Sequence, residues 1–556
     1  MTVRVPYAGE ASILARLDPA AQEAPGESVW ELRPFHRPNA TYDLVATPTR
    51  PDWRADPDAL DALERIRSHP SVERVKSRGH VVLVRLADGC VAEAGEALDS
   101  DPDSSGDVFL GGRHVVHYCD PNACKALHTG HLRNLAIGNA LVAALTEAGA
   151  TVESRSAVAD CGRNMAEAMA GVAAWRSAGV PRSPGEKGDH FVAQRYREYV
   201  GEHTPDAAEA TDVPIAREVV MHNDEADRLL SRLLRDEPDA LELWHEVRAL
   251  VIDGHVDTLE RLGIRFDRLI SERDLVQPAR DLAAQAMADG TFDRRDDGMV
   301  VYRTGREDFE LLPMLRGDDA PTQHLRSVAY WALAEDDLSD ATSVQICGDE
   351  WQPHTVCIPG VVEGFLTGDD APHPTVDVLH GMVTTDGAVV TSSRASAEPI
   401  DRLLDGLVER VERERDGGAS VTVDVEGAAA AVALGYFLTK PLASRIELKP
   451  SLLLSRKDSL GWALAEAAGR FDPDRASAEP APDHVGYRFA VVQSQLLSIH
   501  LRRVVDQMDP TPLARFLHHF SRWYLELSSD DRRPLDRTAA TLVRRGARSL
   551  GLQGAT

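Results

Sequence analysis

Two histidines, His128 and His131, stand three residues apart where an apolar run gives way to a helical pattern. Residues 115–118 form the run, and apolar side chains at helical spacing over residues 132–148 predict a helix behind it. Both imidazoles then lie on one face of the first helical turn. Unpaired backbone N–H groups and the helix dipole favour an anion at that position.

Lys125 and Gly130 stand beside the histidine pair, and the four residues together suit a polyphosphate ligand. From the spacing alone, a solvated histidine pair in front of a good helix is an equally good interpretation. The choice between them depends on what the rest of the chain contains.

The composition is that of a large acidic protein. Its 556 residues provide for about three domains, and the formal net charge is −28. A nucleic-acid partner would therefore have to bind local basic patches. Six cysteines without a Cys-x-x-Cys pair predict a reducing cytoplasm and no structural metal site. Without a signal-peptide pattern or an apolar run of ~18 residues, we expect a cytoplasmic protein with no membrane partner.

The motif extends over residues 121–134, which read Pro-Asn-x-x-Lys-x-Leu-His-x-Gly-His-Leu-Arg-Asn. This string resembles the HIGH region of class I aminoacyl-tRNA synthetases, and of arginyl-tRNA synthetases in particular. Residues 160–163 resemble the family's Asn-Asp-x-Gly-Arg-Gln, and residues 187–192 its Asp-His-Phe-Val element. The chain is identified as a divergent member, with the similarity covering residues from about 110 to 556.

The resemblance implies an α/β fold, a Rossmann-type (HUP) doubly wound catalytic domain with helical insertions. We expect it at residues 106–405, with an N-terminal α+β module at 1–105 and an all-α, anticodon-binding-like bundle at 406–556. Two helix starts can be predicted locally: Asp56 as N-cap before Pro57, and Thr511 as N-cap before Pro512.

The family's chemistry assigns roles to the motif residues. The resemblance makes His128, His131 and Lys125 catalytic, with Lys125 replacing a lysine that the family's second phosphate loop often lacks. ATP, accompanied by Mg²⁺ held mainly by phosphates, would contact Gly130, Asn134, Ser392, Ser393 and Arg394. The last three occupy the place of that second loop, for which a plain polar loop is the alternative.

The predicted amino-acid pocket departs from the family. By resemblance it contains Asn122, His117, Asp160, Gln323, Ser327, Trp351 and His354. Gln323 and Ser327 replace a tyrosine and an aspartate that face the substrate guanidinium in the family. The departures suggest a side chain other than arginine, unless Asp318, Asp349 or Glu350 replaces the lost acid. Drift in a non-catalytic copy would give the same pattern.

The C-terminal segment differs in charge from the rest. Residues 481–556 hold eleven arginines and seven acidic residues, a balance of +4. Arginine beside aromatic residues suits stacked single-stranded bases, although a charge run is often only a solvated face. By resemblance, the tRNA-binding residues would be Trp523, Arg533, Arg537 and Arg544.

The function predicted from the sequence is an ATP-dependent ligase that adenylates an amino acid, which the changed pocket suggests is not arginine, and transfers it to a tRNA 3′ end. By analogy with such paralogues, we expect it to serve specialised metabolism. We also expect it to act as a monomer. An ordinary arginine–tRNA ligase and a catalytically silent tRNA-binding or regulatory paralogue are the alternatives. The loss of both lysines of the second phosphate loop and the changed amino-acid pocket favour the silent paralogue, and the intact His128, His131 and Lys125 oppose it.

Overall fold

The computed structural model describes residues 30–35, 37–38, 41–48, 53–100, 110–203, 224–307, 310–363, 375–385, 388–389, 398–418, 421, 424–471 and 481–556. The statements below concern those residues. Among the described helices, none combines the length and the apolar character needed to cross a membrane.

The N-terminal part is an antiparallel sheet with two helices. The elements are β1 (Trp30–Pro34), β2 (Leu44–Pro48), α1 (Pro57–Ser68), β3 (Val72–Arg78), β4 (Val81–Leu86) and α2 (Asp88–Ser100). The strand order is β1-β2-β4-β3. Helix α1 begins as predicted, because the Asp56 carboxylate accepts the N–H groups of Asp58 and Ala59.

The middle part alternates strands and helices. In chain order it contains β5 (Arg113–His117), α3 (Leu132–Glu147), β6 (Thr151–Val158), α4 (Arg163–Ser177), α5 (Gly188–His203), α6 (Glu225–Leu233), α7 (Pro238–Arg261), β7 (Arg268–Ser271), α8 (Val276–Asp289), β8 (Phe292–Arg294), β9 (Val300–Arg303), β10 (Leu311–Leu315), α9 (Gln323–Leu338), β11 (Ala341–Gly348), α10 (Gln352–Glu363), β12 (Thr375–His380), β13 (Val383–Thr385) and β14 (Ala388–Val389).

A five-stranded parallel sheet, in the order β12-β11-β5-β6-β7, organises this part. Strand β5 is central, and its Val115 and Val116 are fully buried, as expected of a strand covered on both faces. His117 stands opposite Gln345 of β11 and Arg155 of β6. His117 is the last residue of β5, and ligands of such sheets bind at the carboxyl ends of the strands.

The C-terminal part is helical. It contains α11 (Ile400–Asp416), α12 (Val425–Leu438), the short strand β15 (Ile446–Glu447), α13 (Leu460–Ala468), α14 (Val485–Ser494), α15 (Leu496–Gln507), α16 (Thr511–Glu526), α17 (Ser529–Arg532) and α18 (Asp536–Ser549). Strand β15 pairs with β13, and β8 to β10 form a further antiparallel sheet.

The predicted α/β fold class with a helical C-terminal region is confirmed, and the boundaries at residues 105 and 405 stay predictions. The predicted start of α16 is wrong by one residue. Thr511 is already helical, with its N–H bonded to Asp509 Oδ1 and its hydroxyl to the Lys440 carbonyl. Its side chain is therefore engaged elsewhere and does not cap the helix.

Candidate active site

The side chains of the two histidines before α3 accept hydrogen bonds from backbone N–H groups of the turn in which they lie. The N–H of Gly130 donates to His128 Nδ1, and the N–H of His128 donates to His131 Nδ1, both at 3.1 Å. The ring centroids lie 4.0 Å apart. Since each Nδ1 accepts a hydrogen bond, each neutral ring carries its proton on Nε2. The pair therefore offers two N–H donors at the positive end of a helix.

Both rings resist protonation. Burial lowers the pKa of His128 well below its usual value, and the nearby His131 and Lys125 lower it further. Burial, together with the proximity of His255, lowers the pKa of His131 to about 4. The rings are therefore neutral near pH 7 and act as dipolar donors rather than as cations.

Two distant segments hold the loop that carries the histidines. His255 of α7 donates through Nε2 to the Lys125 carbonyl at 2.7 Å. The N–H of Ile400 donates to the Leu127 carbonyl, and the N–H of Thr129 donates to the Glu398 carbonyl, both at 3.0 Å. The loop is thus fixed on one side by α7 and on the other by the chain that enters α11.

Lys125 lies beside this loop, with its Nζ 5.0 Å from the ring centroid of Tyr196. A cation over a ring face is attracted electrostatically. Tyr196 belongs to α5, so this helix supports the lysine that the sequence predicted to be catalytic.

Asn134 joins three strand ends. Its Oδ1 accepts the N–H of Cys119 at 2.7 Å, and its Nδ2 donates to the Ile346 carbonyl at 2.9 Å and to His380 Nε2 at 3.2 Å. His380 can accept there because its Nδ1 faces the Gly381 carbonyl at 3.1 Å and donates to it. The amide predicted to bind ATP is therefore bonded to the protein, and the ATP contact stays a prediction.

Arg133 is a residue whose importance the sequence did not reveal. Its guanidinium is 1% exposed and donates to four backbone carbonyls. The acceptors are Gly381 at 2.6 Å, Pro441 and Leu442 at 2.7 Å, and Ser444. Burial lowers its pKa to about 10. One side chain of the motif helix thereby holds the chain after β12 against the chain before β15.

His117 of the predicted amino-acid pocket lies among aromatic rings. It is 5% exposed and makes edge contacts with Trp331 and Tyr330, at centroid distances of 4.9 and 5.6 Å. The Tyr330 hydroxyl accepts from Arg155 Nη1 at 3.0 Å. Helix α9 therefore packs Tyr330 and Trp331 against the carboxyl end of β5.

Gln323 and Ser327 are half-buried residues of the same helix. They stand seven and three residues before Tyr330, so helical spacing puts all three on one face. The structure thus brings two predicted pocket residues to the helix face that contacts His117. Their contact with an amino acid stays a prediction.

Asn122 and Asp160 lie at the ends of β5 and β6. The loop at Asn122 runs beside β6, where the next N–H donates to the Ala159 carbonyl at 3.1 Å. Asp160 is fully buried, and its carboxylate accepts from Arg248 Nε and Ser271 Oγ at 2.7 Å and from the N–H of Arg273 at 3.1 Å. Protein groups engage both oxygens, which makes Asp160 a support for the strand ends.

The remaining pocket and phosphate-loop predictions are placed unevenly. Trp351 is half-buried in a short helical turn after β11. The side chain of His354, and Ser392, Ser393 and Arg394 altogether, lie outside the described residues.

The three candidate replacement acids differ in their availability. Asp318 is bonded by Arg316, with Nε to Oδ1 and Nη2 to Oδ2 both at 3.1 Å. Asp349 and Glu350 follow β11 directly, and burial, with Asp349 beside it, raises the pKa of Glu350. The acids at the end of β11 are therefore better placed than Asp318 to meet a ligand.

The predicted tRNA-binding residues differ in their exposure to solvent. Arg533, Arg537 and Arg544 are exposed, and the last two lie seven residues apart on one face of α18. Trp523 is half-buried and packs on Phe489 and Phe520, at centroid distances of 4.5 and 5.4 Å. The arginines thus lie at the surface, whereas Trp523 contributes to packing within the bundle.

Residues 111–306 match the family model described as tRNA synthetases class I (R), catalytic domain. Among curated relatives, an arginine–tRNA ligase of Amoebophilus asiaticus (strain 5a2) is 27% identical over 362 residues, or 63% of this chain and 59% of the relative. One of Bacteroides fragilis (strain YCH46) is 24% identical over 370 residues, again 63% and 59%. The matched region thus spans about three fifths of these relatives' length.

Solved structures share the fold over nearly the whole chain. The arginyl-tRNA synthetase of Thermus thermophilus has a TM-score of 0.60 at 17% identity, covering 94% of this chain and 95% of that one. That of Plasmodium falciparum also has a TM-score of 0.60, at 13% identity, covering 97% and 96%. Residues 111–306 are therefore similar to the catalytic domain of class I tRNA synthetases, and the chain as a whole has the fold of arginyl-tRNA synthetases.

Proposed function

We propose that the chain is an ATP-dependent aminoacyl-tRNA ligase of the arginyl-tRNA synthetase type. The carboxylate of an amino acid attacks the α-phosphate of ATP and releases pyrophosphate, and the acyl group then passes to a ribose hydroxyl at the tRNA 3′ end. The observation that carries the proposal is the neutral histidine pair at the start of α3, with both Nδ1 atoms bonded to backbone N–H groups.

The histidines suit the transition state of that attack. Negative charge develops on phosphate oxygens, and fixed N–H donors stabilise it without reorganising. The Nε2 donors of His128 and His131 supply this stabilisation, and Lys125 adds a positive charge to the same loop. Mg²⁺ would accompany ATP on its phosphates.

Arginine is the first candidate for the activated amino acid, because the matched relatives are named arginine–tRNA ligases. Asp349 and Glu350 would then face its guanidinium. Another amino acid is the second candidate, because His117, Gln323 and Ser327 provide no carboxylate. A buried guanidinium without one loses ~4 kcal/mol, which weakens binding about a thousandfold.

The acceptor is a tRNA, for which the exposed Arg537 and Arg544 of α18 provide positive charge in an otherwise acidic chain. We also propose that the ligase is a cytoplasmic monomer. Size-exclusion chromatography with light scattering tests the monomer, and a filter-binding assay against total tRNA at two salt concentrations tests the acceptor.

The test of the reaction is ATP–pyrophosphate exchange with each of the twenty amino acids, with total tRNA present. Exchange with arginine alone supports the ordinary ligase, and exchange with a different amino acid supports the second candidate. If no amino acid supports exchange and calorimetry detects no ATP binding, the proposed function is wrong.

A further inference from the structure

Asp401 is the second residue of α11, and four side chains from two other parts of the chain contact its carboxylate. Its Oδ2 accepts from Lys187 Nζ at 2.8 Å and from His190 Nε2 at 3.0 Å. The Thr258 hydroxyl lies 3.1 Å from the same oxygen, and Arg261 Nη1 lies 3.3 Å from Oδ1. Lys187 and His190 lie at the start of α5, and Thr258 and Arg261 lie at the end of α7. One carboxylate therefore joins α11 to both of these helices.

The cluster resembles a metal site only in its residue types. Ligand atoms of Asp189, His190 and Asp401 lie within 4.8 Å of one another. However, Lys187 Nζ stands 2.8 Å from Asp401 Oδ2 and 3.5 Å from Asp189 Oδ2. An ammonium group therefore already lies between the two carboxylates, where a metal ion would have to bind, and we assign a structural role to the cluster.

The cluster stands directly behind the histidine loop. The three residues before Asp401 run antiparallel to that loop, with Pro399 bridged to His128. Helix α7 contacts both parts, through His255 to the Lys125 carbonyl and through Arg261 to Asp401. The histidine loop, the entry to α11 and the end of α7 thus form a closed triangle of contacts.

We propose that Asp401 is a positioning residue for the nucleotide step. By fixing the chain that pairs with the backbone of His128, it sets where the Nε2 donors of the histidine pair point. The inference rests on the proposed function, because it requires ATP at those donors. It assigns to a side chain outside the histidine motif a part in adenylate formation.

The test is pyrophosphate exchange by Asp401→Asn, which keeps the shape of the side chain and removes its charge. Since misplacement of reacting groups by about 1 Å can cost ~100-fold in rate, we expect kcat to fall about 100-fold. The KM for the amino acid should stay within about twofold, because Gln323 and Ser327 of its predicted pocket lie on α9, which supplies none of the side chains described around Asp401. A general loosening of the protein would instead change both.

Asp405→Asn is the matched control. Asp405 lies one turn along α11, pairs with the same Arg261 at 2.8 Å, and is 66% exposed. It loses an equal charge and should keep the wild-type kcat. If Asp401→Asn does not fold, Lys187→Met breaks the cluster from the other side, and Lys187→Arg should restore activity.

The outcomes separate the two proposals. A wild-type protein without exchange or ATP binding overturns the proposed function. An active wild type with Asp401→Asn and Lys187→Met both within about twofold of its kcat overturns the positioning role. Equal changes in kcat and in the KM for the amino acid also overturn it.

Discussion

The backbone N–H of His128 donates to Nδ1 of His131 at 3.1 Å, and this bond fixes the protonation of the second ring. Nδ1 of His131 has a structural role, because it satisfies a backbone donor at the helix start. Nε2 of the same ring is left as the donor to a ligand. The two tasks lie on different atoms and can be separated by substitution.

His131→Asn makes that separation. The asparagine Oδ1 can take the place of Nδ1 as acceptor, whereas nothing replaces Nε2–H. We expect the protein to fold, and kcat for pyrophosphate exchange to fall by ~100- to 1000-fold, as when one donor to a developing anion is removed. A thermal melt beside the exchange assay checks both parts. Unchanged exchange in a folded variant would contradict the assignment.

The low pKa of His131 predicts an unusual pH profile. The folded ring titrates at about 4, so it stays neutral where an ordinary histidine gains a proton near 6.5. We therefore expect kcat/KM for ATP to stay flat from about pH 7.5 to 6, because this parameter reports ionisations of the free enzyme. An inflection near 6.5 that disappears in His131→Asn would contradict the neutral ring.

The low pKa of His131 also makes the free energy of unfolding depend on pH. Below pH 6.5 the unfolded histidine binds a proton that the folded one refuses until pH 4. The free energy of unfolding therefore decreases as the pH falls through this window, by up to about 1.4 kcal/mol per pH unit for the one proton that the unfolded ring binds in excess. Urea denaturation at three pH values measures the slope, which His131→Asn should reduce. An unchanged slope would contradict the low pKa.

Arg133→Met tests the four hydrogen bonds that join α3 to the chain after β12 and before β15. The substitution leaves four carbonyls without their donor, and unsatisfied buried groups are costly. We expect the free energy of unfolding to decrease by about 4 kcal/mol. Arg265→Met is the control, since Arg265 is 83% exposed and should change it by less than about 0.5 kcal/mol. Equal effects would show that the four bonds are worth little.

The sequence predicts what is local in this site. The histidines lie in the short turn that leads into α3, and this position can be predicted because helix starts and apolar spacing are properties of neighbouring residues. The position of His117 at the carboxyl end of a central parallel strand follows from the topology of such sheets. Both features depend on short stretches of chain, so a single sequence suffices to predict them.

What the sequence does not reveal depends on partners far along the chain. Arg133 meets carbonyls 248 to 311 residues away, and Asp401 meets Lys187 across 214 residues. Asn134 has a type and position that suit ATP, yet its amide is bonded to Cys119 and His380. A residue type states what a side chain can do, whereas only the fold determines which partner it meets.

Arg488 provides the same lesson between the N-terminal sheet and the bundle. It is 2% exposed, with Nε 3.0 Å from Asp43 Oδ1, Nη2 2.7 Å from Oδ2, and a further bond to the Leu86 carbonyl at 2.7 Å. Asp88 also contacts it. One buried guanidinium of α14 thus fastens the N-terminal sheet to the C-terminal helices.

Arg488→Met should weaken this attachment, because removing one member of a buried ion pair leaves an uncompensated charge and costs about 3–5 kcal/mol. We expect faster proteolytic release of the N-terminal part than in the wild type or in Arg544→Met, which removes an exposed arginine of α18. Adding Asp43→Asn should recover part of the loss, since the stranded carboxylate is then neutral. Additive losses in the double variant would mean that the two side chains do not stabilise the interface as a pair.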